Sequence, residues 1–367
     1  MKVAFVSTSI APYTIPSRVM INSDKRLECI HLFARKIEPG RQWYIGDVPE
    51  NFYVVKGVTL RFFRRFIYVP IQLPVTLKKY RPKVIVSEQL GSLLFFTLLY
   101  ALSADIPVYL RWEGTPTTER RFNGRFRLAV RKWLGRNVKG FLCYSNESIR
   151  YLESIGMDQP KRMISYPVTS NIFYPPENMN QRSSEVFLYV GQLIPRKGIT
   201  QLIKAFLLLV ENYPKATLWI VGDGELRGSI EEQIPEQYSR NFVLHGFRSE
   251  LEVAELMRSA GNFVCPTLED HGPVVQIEAA MTGLPILGSI YSGNANLVIN
   301  DGENGLIIDP NDEQQFFDGL KLLCDTKCLI KRDRMYQLSI EKAGKHGVPS
   351  EVESTVNALL EMEIAGS

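Results

Sequence analysis

The sequence predicts an α/β chain of two parallel-sheet domains. Three observations carry this expectation. Short apolar runs of strand length alternate with segments of helical period along most of the chain. The alternation breaks once near the middle, over a stretch rich in Pro, Asn and Ser. The length of 367 residues suits two domains of roughly 100–200 residues each.

The first strand is expected at Val3–Ser7, an apolar run too short for a signal peptide and soon followed by Pro12 and Pro16. Further apolar runs stand at Leu27–Phe33, Val84–Ser87, Val108–Trp112, Phe141–Tyr144 and Met163–Tyr166. Helical periods cover Arg125–Leu134 and Glu147–Ile155. The uncharged stretch from Gln89 to Ala104 falls short of the ~20 residues that span a bilayer. It is expected as a buried helix packed on the sheet. From Tyr166 to Ser184, Pro167, Pro175 and Pro176 give a linker composition. The alternation then restarts: strand Val186–Val190, helix Ile199–Asn212, strands Thr217–Val221 and Phe242–His245, helix Leu251–Ser259, strand Phe263–Cys265, helix Val274–Thr282 and strand Pro285–Gly288. The expected domains are 1–170 and 171–367, both Rossmann-like, with a cleft between them. In open α/β sheets, ligands sit at the carboxyl ends of the strands, so the loops there are where chemistry is sought.

The net charge of +4 conceals an asymmetry. Residues 1–170 carry 27 Lys and Arg against 12 Asp and Glu, a net of +15; residues 171–367 carry 16 against 27, a net of −11. Basic residues cluster with aromatics at Arg61, Phe62, Phe63, Arg64, Arg65 and Phe66, and then at Lys78, Lys79, Arg81 and Lys83. A second group runs from Arg120 and Arg121 to Arg136 and Lys139. Solvated helix faces explain such clusters, and so does attraction to an anionic membrane, where each basic side chain contributes ~1 kcal/mol. No nucleic-acid motif accompanies them. The five cysteines (Cys29, Cys143, Cys265, Cys324, Cys328) form no Cys-x-x-Cys, and no His lies near Cys324 or Cys328. A reducing cytosol without a zinc site is expected.

Three stretches carry chemistry. In Tyr189-Val-Gly-Gln-Leu-Ile-Pro-Arg-Lys-Gly198 a strand ends at Gly191, and Arg196 and Lys197 immediately precede a helix. Two cations beside free helix amides make a diphosphate site; alone, the stretch also describes a surface turn. Gly222-Asp-Gly-Glu225 follows the next strand, where glycine permits a tight turn and close ligand approach. The third runs from Pro266 to Pro285. Glu269, Asp270 and His271 form a polar loop, Gly272 and Pro273 open a helix, and Glu278 lies inside it. The amides of Val274 and Val275 are expected to lack intrahelical partners. Two carboxylates thus bracket a helix start, and carboxylates accept charge-assisted hydrogen bonds from sugar and ribose hydroxyls.

Asp270 and Glu278 occupy the two acidic positions of a pattern that resembles the Glu-x7-Glu motif of the retaining GT-B glycosyltransferases of family GT4. Val190-Gly-Gln-Leu-Ile-Pro-Arg-Lys-Gly198 resembles that family's donor loop. Val221-Gly-Asp-Gly-Glu225 and Asn300-Asp-Gly-Glu-Asn-Gly-Leu-Ile-Ile-Asp-Pro310 follow in the family's order. The match is dense over about 185–310 and loose before it. The resemblance implies a GT-B fold, two Rossmann-like domains facing each other across a cleft, with acceptor binding in 1–170 and nucleotide-sugar binding in 171–367. It also implies that a last helix, about 350–364, crosses back to the N-terminal domain. It implies transfer from a uridine or guanosine diphosphate sugar, with retention and usually without a metal, onto a hydroxyl of a glycan or lipid-linked glycan. Arg196 and Lys197 would hold the diphosphate, Glu278 the ribose hydroxyls and Asp270 the transferred sugar. The backbone from His271 through Gly272 and Pro273 to Val274 would touch sugar and phosphate, the base would rest in loops near Gly222 and His245–Arg248, and Gly191 of the donor loop would also bind the donor.

The chain departs from the family pattern in places. Asp270 is one methylene shorter than the usual Glu, and Glu269 beside it is an alternative. Gln192 replaces a frequent Arg. The N-terminal loop reads Ser7-Thr-Ser-Ile-Ala-Pro-Tyr13, similar to a Pro-Tyr branch of the family. Glu113 follows the strand Val108–Trp112, where many members carry His. Glu113 is a candidate catalytic carboxylate together with Asp270 and Lys197; the plain alternative is a salt bridge to Arg111 or Arg120. Surface polysaccharide assembly at the inner face of the cell membrane is the expected setting. An epimerase of similar build and a non-catalytic sugar-nucleotide sensor are the competing expectations. A dinucleotide-dependent oxidoreductase is disfavoured, since no Gly occurs between Val6 and Gly40.

Overall fold

The structure, a computed structural model, describes residues 1–37, 45–62, 65–88, 90–119, 124–168, 172–325 and 332–364. Phe63, Arg64, Arg120, Arg121 and Cys328 of the clusters above lie outside these residues. The chain divides into two compact units. Unit 1 comprises Met1–Pro167 with Gly347–Ser367, and unit 2 comprises Val168–His346. The division falls three residues before the expected 170/171 boundary, and the last segment belongs to unit 1.

Unit 1 contains β1 (Lys2–Ser9), α1 (Ile15–Asn22), β2 (Glu28–Arg35), β3 (Phe52–Val54), β4 (Val58–Phe62), β5 (Arg65–Val69), α2 (Leu73–Tyr80), β6 (Val84–Ser87), α3 (Ser92–Ala104), β7 (Val108–Trp112), α4 (Arg125–Arg136), β8 (Gly140–Cys143), α5 (Asn146–Ser154) and β9 (Lys161–Met163). Its sheet has the order β3-β2-β1-β6-β7-β8-β9 and is parallel throughout; β4 and β5 form a separate antiparallel pair. Ala4 and Val6 of β1 join Ile85, Leu110 and the inner faces of α2 to α5 in one core layer. Phe5, one residue out of phase, faces the other way and stacks on His31 at 5.2 Å. Burial of both phases is what a doubly covered parallel sheet requires, and it explains runs without polar alternation. The expected strand at Met163–Tyr166 is instead β9, two residues earlier. β8 offers only Phe141, Leu142 and Cys143, which pair with Lys161, Arg162 and Met163.

Unit 2 contains β10 (Val186–Val190), α6 (Ile199–Asn212), β11 (Thr217–Val221), α7 (Arg227–Gln233), β12 (Phe242–Gly246), α8 (Glu250–Ser259), β13 (Asn262–Cys265), α9 (Val274–Met281), β14 (Ile286–Ser289), α10 (Ala295–Val298), β15 (Gly305–Ile308), α11 (Glu313–Cys324) and α12 (Arg332–Ala343). Six parallel strands run in the order β12-β11-β10-β13-β14-β15. α8 starts at a capping box in which Ser249 and Glu252 satisfy each other's amides. α6 buries Leu202, Ile203, Phe206, Leu209 and Val210 at helical spacing, which fixes the loop before it. The order reverses between β10 and β13, so the switch point that collects ligands lies at their carboxyl ends. The Asn300–Pro310 motif proves to be architectural. Asn304, fully buried, donates to Val298 O (2.8 Å) and Ser339 (3.0 Å) and ties the turn before β15 to α12.

The final helix, α13 (Val348–Ile364), is part of unit 1 and packs on α1. Its Glu351 is fully buried, 2.7 Å from Arg111 Nη2, and accepts a hydrogen bond from Ser17. Arg18, on α1, pairs with Glu88, which also accepts from Ser7. Burial lowers the Arg18 pKa to about 9. Buried charges are tolerable only when paired in this way.

Candidate functional site in unit 2

The loops after β10 and β11 are locked together by backbone. Gly191 N–H donates to Val221 O (3.0 Å), Leu193 N–H to Asp223 O (2.9 Å), and Gly222 N–H to Gly246 O (2.8 Å). Gly222 has φ +131°, and a Cβ there would stand 1.9 Å from Gly191 O. Only glycine fits so close an approach, and the two loops therefore form one rigid rim.

The donor-loop stretch turns through a short 3₁₀ segment, Pro195–Lys197, into α6. Gly198 makes the corner with φ +69°, and a Cβ there would lie 1.9 Å from Pro266 O. This contact presses the Arg196–Lys197 turn against the loop after β13. The Arg196 carbonyl accepts from Leu268 N–H (2.8 Å), Glu269 N–H (3.2 Å) and the Thr267 hydroxyl (3.1 Å).

The side chains meet in the same place. Lys197 Nζ ion-pairs with Asp270, and Arg196 Nη1 stands 3.7 Å from the same carboxylate oxygen and 3.3 Å from Glu269 O. Burial pushes the Asp270 carboxyl up, but the Lys197 charge and hydrogen bond, with Arg196 behind, outweigh it and hold the pKa below the usual value. Asp270 is itself fixed by backbone: its N–H donates to Tyr291 O (3.3 Å), and its carbonyl accepts from Gly293 N–H (2.9 Å). Of the two neighbouring carboxylates, Asp270 is the one that Lys197 engages.

Pro273 is the N-cap of α9 rather than its first helical residue. Val274 and Val275 occupy the first turn, where no carbonyl of the same helix lies behind their amides, as expected. The cap is anchored from below: buried Asn294 donates to Pro273 O (3.1 Å), and the Ser292 hydroxyl, with one proton to donate, stands 3.0 Å from both Gln276 Oε1 and Asn294 Oδ1. Gly293 allows this packing, since a Cβ there would sit 1.9 Å from His271 O. Ser292, Gly293 and Asn294 were not singled out by sequence; the small and polar run Ser292-Gly-Asn-Ala-Asn296 was the available signal.

The side chain of Glu278, the fifth residue of α9, makes no hydrogen bond or ion pair among the described residues. Its pKa is pushed up to about 8, chiefly by burial and then by Glu250. His245 closes the rim at the end of β12, its ring against Trp219 at 5.9 Å. Burial and Arg248 lower its pKa. Gly191, Arg196, Lys197, Gly222, Asp270, His271, Gly272, Pro273, Val274 and Glu278 thus all belong to unit 2, on or beside the carboxyl edge of its sheet. Glu113 belongs to unit 1, exposed after β7. Arg111, offered above as its partner, points into the core instead, toward Glu351 and, at 3.5 Å, Glu88. Among the described residues, no group of three or more His, Cys, Asp or Glu is placed to hold a metal ion.

Residues 173–342 match the family model described as Glycosyl transferases group 1. The chain is 33% identical over 153 residues to the UDP-Gal:alpha-D-GlcNAc-diphosphoundecaprenol alpha-1,3-galactosyltransferase of Escherichia coli, covering 41% of this chain and 39% of that protein. It is 27% identical over 164 residues to the lipopolysaccharide glucosyltransferase WaaG of Escherichia coli K12, covering 44% and 43%. The matches thus span about two fifths of the length of these curated relatives. In fold, the chain is similar over its whole length to HepE of Anabaena, solved with UDP and glucose, at TM-score 0.73 and 16% identity, each chain covered to 100%. WaaG gives TM-score 0.69 at 16% identity over 97% of this chain and 99% of that one. The chain therefore has the GT-B fold, and within it residues 173–342 are similar to the glycosyl transferases group 1 model.

Proposed function

We propose that the protein is a retaining glycosyltransferase of the GT4 kind. It moves a sugar from a uridine or guanosine diphosphate sugar to a hydroxyl of a glycan or lipid-linked glycan in surface polysaccharide synthesis. The observation that carries this is the convergence, within unit 2, of Lys197 and Arg196 on Asp270, in the loop that leads into the first turn of α9, with the Glu278 side chain unpartnered on that helix. Cations and free amides suit a diphosphate. An unpartnered carboxyl suits ribose hydroxyls. The relatives support the substrate class: one is named for UDP-galactose, and HepE was solved with UDP and glucose.

In this reading the diphosphate leaves against Arg196, Lys197 and the amides of Val274 and Val275. These groups stabilise charge as it develops on the leaving oxygen. The anomeric carbon becomes oxocarbenium-like, and the acceptor hydroxyl attacks the face from which the diphosphate departs. The C–O bond to the diphosphate breaks, the C–O bond to the acceptor forms, and the departing phosphate takes the hydroxyl proton. Asp270, held by Lys197, orients the sugar. Glu113 is the acceptor-side carboxylate. Arg196 and Lys197 supply the positive charge that a metal would otherwise bring, so turnover is metal-independent. The net charge of +15 over residues 1–170 supports a peripheral position on the inner face of the membrane.

The test is a screen of uridine, guanosine and adenosine diphosphate sugars by nucleotide release, with and without glycan acceptors and with a chelator present. Acceptor-dependent release from one donor is expected. Donor isomerisation without acceptor would instead indicate an epimerase, and donor binding without any turnover a sensor.

A further inference from the structure

The outer surface of α3 and α4 in unit 1 is apolar where a soluble helix pair should be polar. α3 carries no charged residue over its 13 positions. Leu93, Leu94, Thr97, Leu98 and Ala101 face the core. The opposite phase shows Phe95 (39% exposed), Leu99 (48%) and Leu102 (57%), spaced by four and three residues on one stripe. α4 extends the stripe with Val130 (42%) and Trp133 (45%), and the Phe95 and Trp133 rings approach to 5.9 Å. These five side chains are therefore one patch rather than scattered exposures, and a contiguous apolar patch marks an interaction surface.

The charges of α4 say which surface. Its positions fall on three faces. Arg131 and Leu134 turn inward, Arg131 pairing with Glu119 and lying over Trp112 at 6.0 Å. Val130 and Trp133 make the exposed apolar face. Arg125, Ala129, Lys132 and Arg136 share the third face, beside the apolar one, with no acidic residue anywhere in the helix. An apolar stripe flanked by cations fits a surface that is apolar within and negative at its rim, which is an anionic lipid bilayer. No helix of the described residues is long and apolar enough to cross a membrane, so contact is made by lying on it.

We propose that the α3–α4 face docks on anionic lipid, with Leu99, Leu102 and Trp133 inserted among the acyl chains and Arg125, Lys132 and Arg136 on the headgroups. This rests on the peripheral-membrane reading above and names the face that performs it. The test uses the full chain and sedimentation with vesicles of 30% phosphatidylglycerol in phosphatidylcholine, against pure phosphatidylcholine. Binding to the anionic vesicles that weakens in 0.5 M salt is expected. Lys132→Gln with Arg136→Gln lowers the partition coefficient about 25-fold, at about fivefold per charge. Leu99→Ser with Leu102→Ser lowers it by on the order of tenfold or more. Both variants keep wild-type donor turnover, since neither touches unit 2, and circular dichroism confirms that they fold. If wild type binds and both variants bind equally well, this face is wrong while the peripheral reading stands. If wild type ignores anionic vesicles, both are wrong. A wild-type dimer that the leucine variant makes monomeric would assign the face to self-association and overturn the proposal.

Discussion

The Lys197 ammonium is ion-paired to the Asp270 carboxylate, and Arg196 stands 3.7 Å from the same oxygen. Two loops far apart in sequence are thereby joined at one charge. The groups proposed to hold the diphosphate and the sugar are neighbours that already stabilise each other, so neither can be removed without disturbing the other.

Lys197→Ala lowers nucleotide release by about 100-fold or more, the loss typical of an electrostatic stabiliser. It also lowers unfolding free energy by roughly 1–3 kcal/mol, because Asp270 is left without its partner. Lys197→Met with Asp270→Asn restores the urea midpoint but not turnover. A single variant as stable as wild type contradicts the pairing; one as active contradicts the donor-site reading.

The same pair sets a response to acid. The Asp270 pKa is depressed, so its contribution is present above the unfolded value of about 3.9 and is lost as pH falls through the folded value. With Lys197→Met, burial dominates and the sign reverses: the folded value rises above the unfolded one, and the carboxylate costs stability as pH rises through that window. Thermal midpoints measured between pH 3 and 7 check this: the two curves should diverge above about pH 4.

Glu278 responds in the opposite direction. Its folded pKa is near 8 against 4.5 for the free group, so it costs stability as pH rises from the lower value to the higher. Glu278→Gln raises unfolding free energy at pH 8 by roughly 1–2 kcal/mol, leaves it unchanged at pH 4, and weakens nucleotide binding by about tenfold. Urea midpoints at the two pH values and calorimetry with nucleotide measure both effects. A variant less stable than wild type at pH 8 would show that Glu278 supports the fold rather than awaiting a ligand.

Gly198→Ala forces a Cβ onto Pro266 O at 1.9 Å in a backbone at φ +69°. It should cost more than about 1–3 kcal/mol and reduce nucleotide release by displacing the Arg196–Lys197 turn. Gly302→Ala provides the control, with φ +79° but nothing within 4 Å of the added atom. It should cost about 1 kcal/mol and leave turnover intact.

Glu351→Ala tests how α13 is held in unit 1. Arg111 and Ser17 would lose a fully buried carboxylate, at a cost of roughly 3–5 kcal/mol. Hydrogen exchange should show α13 opening first. Unchanged protection in α13 would mean that its apolar residues, Val352, Val356 and Leu359, suffice.

The strands were legible because in a doubly covered parallel sheet most side chains on both faces are apolar, and Val84–Ser87, Val108–Trp112, Val186–Val190 and Thr217–Val221 are bounded as expected. The β4–β5 pair was not, since its positions 61–66 read as a basic and aromatic cluster rather than an alternating hairpin. At the site, glycines and cations announced the loops after β10 and β11, because close backbone approach demands glycine at Gly198 and Gly222. The contact between Lys197 and Asp270 was not readable, since it depends on how the loop after β13 packs on Gly198. The buried set Arg18, Glu88, Arg111 and Glu351 joins α1, β7 and α13 across the whole length of the chain, and no local pattern marks such a pairing.

The most direct test is titration calorimetry of wild type and Lys197→Ala with uridine and guanosine diphosphates, in the presence of a chelator. The account predicts that one of the two binds wild type at micromolar affinity without metal and binds the variant at least about tenfold more weakly. Absence of binding by either nucleotide, or equal binding by wild type and variant, would contradict it.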